Sequence, residues 1–335
     1  MRRKPRVAIN GFGRIGRLFF RQAHKKFQIA AINDLGDPET LAYLLKYDTV
    51  YRLFDYNLKQ AVERGRIKYL QEKNPAALPW AELKIDIVVE ATGIFESFAE
   101  AQPHLRAGAK RVVITAPAKD AERGDAKTIL LGVNEQEFKH CTITSNGSCT
   151  TNAAHPVAAI MSETVGVKKA SMNTIHGYTA TQALVDGTAG RSKDLRRGRA
   201  AAVNIVPSNS GATNSVIRAL PNLEGKFDGI AARVPLITGS LIDFTFVAER
   251  DTSVEEVNDI FRKAAQEKRW REIMTVVEEP IVSSDVIGQP YGAIIDLNLT
   301  KVIDGDLVKV FSWYDNEWGY VTTLVKHVEK VAQGL

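Results

Sequence analysis

Val7-Ala8-Ile9-Asn10-Gly11-Phe12-Gly13-Arg14-Ile15-Gly16 is the stretch that decides the fold. Its first residues form a short apolar run that reads as a buried strand, and a helical pattern follows, so the glycines fall on a strand-to-helix turn. In such a turn one glycine permits the tight bend, one lets the backbone approach a pyrophosphate, and one lets helix and strand pack closely. The amides and dipole of the opening helix then hold the anion. Asp34 stands at the end of the second predicted strand, 18 residues past Gly16, where a carboxylate can bind ribose hydroxyls. A purely structural glycine turn would not need that carboxylate. Gly11, Gly13, Arg14, Ile15, Gly16 and Asp34 are therefore candidate cofactor residues. Asp34 also favours NAD over NADP, because it would repel a 2′-phosphate.

Working outward, short apolar runs at 6–10, 28–33, 85–91, 111–116, 128–132 and 142–145 alternate with amphipathic stretches at 15–26, 39–46 and 95–107. This predicts an α/β doubly wound parallel sheet of the Rossmann type. Beyond Cys149 the runs lengthen (170–178, 229–234, 240–249, 293–299 and 307–314), predicting a second, mostly antiparallel α+β domain. Asp304-Gly305 marks a hairpin turn, Ser253 and Glu256 a capping box opening a helix over 254–268, and 318–332 a last helix. The expected division is a dinucleotide domain over 1–148, completed by a helix over 318–333, and a catalytic domain over 149–313. A length of 335 residues agrees with two cores rather than one.

Composition excludes more than it assigns. With 44% hydrophobic and 25% charged residues the chain is neither disordered nor fibrous. Its net charge of +5, from 44 basic and 39 acidic residues, suits anionic small molecules and does not call for nucleic acid. No run approaches the roughly 20 apolar residues of a membrane span, and the basic start lacks the apolar core of a signal peptide. A cytoplasmic protein is expected. Two cysteines, Cys141 and Cys149, do not make a disulfide framework.

Cys149 lies in Ser145-Asn146-Gly147-Ser148-Cys149-Thr150-Thr151-Asn152, between a strand and a helical pattern. That places it at a helix N-terminus, where amides and dipole lower a thiol's pKa and make it a nucleophile. Pro156 is tolerable only near the first turns of this helix. Cys141, on its strand, reads as a small buried residue. A thiol nucleophile needs a base, and the choice is among His24, His104, His140, His155, His176 and His327. His176 ends a predicted strand and opens the polar loop Gly177-Tyr178-Thr179-Ala180-Thr181-Gln182, which is the context of an active site.

Six stretches in order carry a family likeness: Ala8 to Arg17, Leu45-Lys46-Tyr47-Asp48, Ser148-Cys149-Thr150-Thr151-Asn152, Lys193-Asp194-Leu195-Arg196-Arg197, Ala232-Arg233-Val234-Pro235 and Ser312-Trp313-Tyr314-Asp315-Asn316-Glu317-Trp318-Gly319. With these the chain resembles the phosphorylating glyceraldehyde-3-phosphate dehydrogenases over nearly its whole length, most weakly over 50–80 and 187–192. The resemblance implies that Cys149 attacks the aldehyde, that His176 moves protons, and that inorganic phosphate cleaves the resulting thioester. It implies Thr179, Arg197 and Arg233 for the substrate phosphate, and Ser148, Thr150, Ser210 and Gly211 for the attacking one. Thr92 and Thr115 are implied for the cofactor cleft, Asn316 for the nicotinamide amide, and a homotetramer for the assembly.

The sequence departs from the family pattern in places. Ala153 replaces a usual second cysteine, Ser210 a threonine and Thr181 a common aspartate, while a lengthened 187–192 loop lacks the Leu-Pro pair of NAD-specific members. Small residues there leave room for a 2′-phosphate, so use of NADP stays open. Rival readings are an erythrose-4-phosphate dehydrogenase and a non-catalytic relative. The basic run over 191–199 also allows an RNA-binding reading, although no aromatics interleave with it.

Overall fold

A parallel sheet must bury both faces, and the apolar runs of the first third of the chain do so. The computed structural model describes residues 3–188 and 194–335. It divides into two units: residues up to Gly147 with Val321–Leu335, and Ser148–Tyr320.

In the first unit, strands β1 (Arg6–Asn10), β2 (Gln28–Asn33), β3 (Lys68–Leu70), β4 (Ile87–Glu90), β5 (Arg111–Ile114), β6 (Ala126–Thr128) and β7 (Ile143–Ser145) form one sheet in the order β3-β2-β1-β4-β5-β7-β6. Every pairing is parallel. Helices α1 (Arg14–Ala23), α2 (Pro38–Lys46), α3 (Leu58–Glu63) and α4 (Phe98–Arg106) intervene. Strand order reverses between β1 and β4, which is where open α/β sheets bind ligands, beyond the strands' carboxyl ends. Ala8, Val88, Val112 and Ile143 pack with Trp80 and Phe98 in one core.

Two local departures have local causes. The run expected over 128–132 is a strand only at Ala126–Thr128, because the Asn134 side chain accepts from the Leu130 amide (2.8 Å) and donates to the Thr128 carbonyl (2.9 Å), ending the strand in a turn. The elements α3 and β3 lie in a region that gave no periodic signal, and at six and three residues they are too short to give one.

The second unit contains β8 (Lys169–Gly177), β9 (Val206–Asn209), β10 (Phe227–Val234), β11 (Ser240–Val247), β12 (Met274–Val277), β13 (Ala293–Ile303) and β14 (Leu307–Tyr314). They form a sheet in the order β12-β13-β14-β11-β8-β10-β9. Four of its pairings are antiparallel, while β8 with β10 and β12 with β13 run parallel. Helices α5 (Cys149–Thr164), α6 (Ala212–Ala219), α7 (Val254–Gln266) and α8 (Trp318–Gln333) complete the chain, and α8 joins the first unit from Val321 onward.

The hairpin expected at Asp304-Gly305 joins β13 and β14. The capping box of α7 forms only by half. Ser253 Oγ accepts from the Glu256 amide (3.2 Å), but the Glu256 carboxylate turns to Arg250 (2.6 Å) and Thr252 (2.7 Å), since a charge-assisted bond is the stronger one. Pro156 lies in the middle of α5, not near its first turns, and the helix continues through it. Continuous burial from Thr150 to Met161 outweighs the lost hydrogen bond. Among the described residues no helix is long and apolar enough to cross a membrane.

Candidate active site

Cys149 is the first residue of α5, and the turn is fixed by its neighbours. Ser148 Oγ accepts from the Thr151 amide (3.1 Å), and Thr151 Oγ1 accepts from the Ser148 amide (3.0 Å), a reciprocal cap made of two hydroxyls. His176 stands on β8, which extends through Gly177 rather than stopping short of the histidine. Its Nε2 lies 3.3 Å from Cys149 Sγ, and the imidazole is buried. Nδ1 is 2.6 Å from the Gly177 carbonyl. As a base His176 needs its hydrogen on Nδ1, toward that carbonyl, and its Nε2 lone pair toward the thiol.

Arg233 is the register partner of His176 across the parallel β8 and β10 pair, so both side chains project from the same face. Arg233 Nη1 comes within 2.6 Å of His176 Nδ1, while its buried Nε has no hydrogen-bond partner among the described residues. A half-buried guanidinium with an unused donor suits an anion.

Burial, and then the Arg233 charge, push the imidazole pKa down to about 3. Burial also raises the Cys149 thiol, against the pull of Arg233 and the Thr150 amide and hydroxyl. Burial thus opposes the helix terminus, which by itself lowers a thiol's pKa. Moving one proton from Sγ to Nε2 gives each charge a partner, so the two groups titrate as a pair.

The structure joins Thr179 and Arg197 through a residue not singled out for a role. Thr179 Oγ1 is 2.9 Å from Thr181 Oγ1, which accepts from Arg197 Nη1 (3.1 Å). Arg197 is braced from behind by Ser208 Oγ (2.8 Å). Thr150 Oγ1 bonds Tyr314 OH (2.9 Å), which also reaches Thr174 Oγ1 (2.8 Å). Tyr314 lies in the Ser312 to Gly319 stretch, yet nothing in its sequence context marks it as the brace under the nucleophile's neighbour. Ser210 Oγ accepts from the Ala212 amide (3.3 Å) and Gly211 caps α6 without a side-chain bond. Asn316 Oδ1 accepts from Thr238 Oγ1, the Gly239 amide and Ser240 Oγ (3.2, 3.0 and 2.9 Å), which turns its amide nitrogen away as a donor.

In the first unit the glycine turn suits a dinucleotide. Gly11 has φ +93°, and a Cβ there would meet the backbone of Ala91 and Thr92 at 2.6 Å. A Cβ on Gly16 would lie 2.0 Å from the Gly11 carbonyl, whereas one on Gly13 would meet nothing within 4 Å. The turn is thus packed from behind and open in front, and α1 begins with no side-chain cap to consume its free amides. Asp34 accepts from the amides of Phe12 (2.6 Å) and Gly36 (2.8 Å), one on each oxygen, leaving lone pairs for ribose hydroxyls. A cleft of about 270 Å³ includes Gly11, Gly13, Asp34 and Thr92 in its walls.

Arg14 turns its side chain to Asp48, and Ile15 lies in the first turn of α1. The Thr115 hydroxyl donates to the Glu90 carbonyl (3.0 Å). The loop read as lengthened over 187–192 and the basic run over 191–199 fall partly at 189–193, outside the described residues.

A dinucleotide turn in one unit and a thiol beside an imidazole and a half-buried arginine in the other define a nicotinamide-dependent dehydrogenase that works through a bound thioester. Sequence comparison agrees. The family model for the glyceraldehyde 3-phosphate dehydrogenase NAD binding domain matches residues 5–98, and that for the C-terminal domain matches residues 148–316. Proteins named glyceraldehyde-3-phosphate dehydrogenase are 45% identical in Streptomyces coelicolor, over 96% of both chains, and 47% identical in Mycobacterium tuberculosis, over 98% of this chain and 99% of the relative. The chain belongs to the glyceraldehyde-3-phosphate dehydrogenase family.

Proposed function

We propose that the chain catalyses the reversible, phosphate-dependent oxidation of glyceraldehyde 3-phosphate to 1,3-bisphosphoglycerate with NAD, in glycolysis or its reverse. The carrying observation is the 3.3 Å approach of Cys149 Sγ to His176 Nε2 beside Arg233. Cys149 loses its proton to His176 and its sulfur bonds the aldehyde carbon, and the proton passes on to the carbonyl oxygen to give a hemithioacetal. Bound NAD supplies the two-electron acceptor through which this becomes a thioester. His176 takes the hydroxyl proton in that step. An oxygen of inorganic phosphate then attacks the thioester carbon, the carbon–sulfur bond breaks, and Cys149 is regenerated as the acyl phosphate leaves.

Arg197, Thr179 and Arg233 hold the substrate phosphate in this reading, and Ser148, Thr150, Ser210 and Gly211 the attacking one. The amide nitrogen of Asn316 holds the carboxamide of the nicotinamide. Gly11, Gly13, Arg14, Ile15 and Gly16 form the cradle for the pyrophosphate, Asp34 binds the adenosine ribose, and Thr92 and Thr115 border the cofactor. The dinucleotide domain is residues 1–148 completed by 318–333, and the catalytic domain is 149–313.

The proposal extends to a cytoplasmic homotetramer. Both cysteines are unpaired, a trait of reducing compartments. Leu184, Val185, Leu195, Val203 and Ile205 expose apolar side chains, which a subunit contact would cover.

The test is NAD reduction with glyceraldehyde 3-phosphate in the presence and absence of phosphate, repeated with erythrose 4-phosphate and with Cys149→Ser. Phosphate-dependent turnover that prefers the triose and vanishes in the variant is expected. Turnover persisting in the variant would remove the thioester, and a preference for the tetrose would reassign the substrate.

A further inference from the structure

The ends of β1, β2 and β3 opposite the glycine turn line a second, half-open cavity, of about 480 Å³. It draws on the first residues of these strands, Arg6, Gln28 and Lys68, whereas the dinucleotide motif uses their last, so the two lie roughly 15 Å apart, the length of a five-residue strand. Nothing in the dehydrogenase reaction requires this end of the sheet.

Its chemistry is one-sided. Arg6, His24, Arg66 and Lys68 line it, and no aspartate or glutamate does. Arg6 donates its Nε to the Leu83 carbonyl (2.9 Å), and its terminal nitrogens have no hydrogen-bond partner among the described residues. Arg66 and Lys68 form no side-chain ion pair among the described residues. His24 Nδ1 faces two carbonyl oxygens, Phe20 (3.2 Å) and Arg21 (3.1 Å), so Nδ1 carries the hydrogen and Nε2 is the nitrogen left for a ligand.

The rest of the wall is aromatic. Phe20 and His24 stack with centroids 5.7 Å apart, and Tyr56 stands edge-on to both at 4.9 and 5.3 Å. The Tyr56 hydroxyl has no hydrogen-bond partner among the described residues. Three cationic donors that lack a carboxylate, beside an aromatic wall in a cavity of ligand size, match a ligand that is anionic at one end and planar at the other.

We propose that this cavity is a second nucleotide site, separate from the dinucleotide cleft, in which Arg6, Arg66 and Lys68 take the phosphates and the Tyr56 and His24 rings take the base. The probe is ATP, titrated calorimetrically into protein already saturated with NAD so that the known cleft is filled. One equivalent per chain is expected to bind. Arg66→Glu with Lys68→Glu, both exposed positions, should weaken it by about tenfold or more, roughly 1.4 kcal/mol. Tyr56→Leu should weaken ATP but leave inorganic tripolyphosphate unchanged, which separates base recognition from charge alone. Absence of ATP binding to the NAD-saturated protein, binding that survives the double charge reversal, or equal losses of ATP and tripolyphosphate in Tyr56→Leu would each overturn the assignment.

Discussion

A single proton shared between Cys149 and His176 governs reactivity at the residue scale. Burial alone disfavours both charged forms, so a thiolate at Sγ depends on an imidazolium 3.3 Å away to compensate it. His176→Asn removes that compensation without changing the helix that carries the thiol. The sign follows: a thiolate that loses a positive partner forms only at higher pH. Alkylation of Cys149 by iodoacetamide, followed against pH, should therefore move to more alkaline values by about 1 to 3 pH units in the variant. An unshifted profile would mean that His176 is not the proton's destination. Tyr314→Phe tests another residue-scale element. Loss of its hydroxyl strands the buried Thr150 and Thr174 hydroxyls, at a cost of about 1 to 3 kcal/mol by urea unfolding.

The register of β8 and β10 is what sets a cation against the base, since His176 and Arg233 are direct partners in that parallel ladder. Arg233 is the second cause of the depressed imidazole pKa, after burial. A neutral residue there should raise the pKa only part of the way towards its ordinary value. Because the base works unprotonated, activity is lost as pH falls through its pKa, and a higher pKa moves the acid limb of kcat/KM to higher pH. Arg233→Met should display this together with a raised KM for glyceraldehyde 3-phosphate, and an unmoved acid limb would place the guanidinium's influence elsewhere. These ladders also explain what the sequence could and could not disclose. Strands buried on both faces, such as β1 and β4, are continuous apolar runs and were readable, as was the turn after β1. The pairing of β8 with β10 joins segments some fifty residues apart, and only the resemblance put His176 and Arg233 in one site. The edge strand β3 and the four-residue β9 and β12 carry too few residues to show a period of two. The Thr181 and Ser208 contacts of Arg197 were hidden for another reason: serine and threonine are common in loops, and only geometry distinguishes a bracing hydroxyl from a solvated one.

For the whole molecule, the chain keeps the pyrophosphate turn and the thiol chemistry on different stretches, and this can be tested by damaging one and observing both. Gly16 has no room for a methyl group, because its Cβ would sit 2.0 Å from the Gly11 carbonyl that shapes the phosphate turn. In Gly16→Ala the turn must open, and the amides that α1 offers to a pyrophosphate lose their alignment. A ligand that binds only the folded state stabilises it by RT ln(1 + [L]/Kd), about 2.7 kcal/mol at a hundred times Kd. NAD at that excess should raise the thermal midpoint of the wild type by a few degrees. The variant should begin from a lower midpoint and gain almost nothing from NAD. Its Cys149 should nevertheless alkylate with the wild-type pH profile, because the cap of α5, the His176 contact and Arg233 all arise from residues 148–320. A full NAD-induced shift in Gly16→Ala would show that the turn is not the cofactor's seat. A displaced alkylation profile would show instead that the thiol's proton depends on the glycine turn.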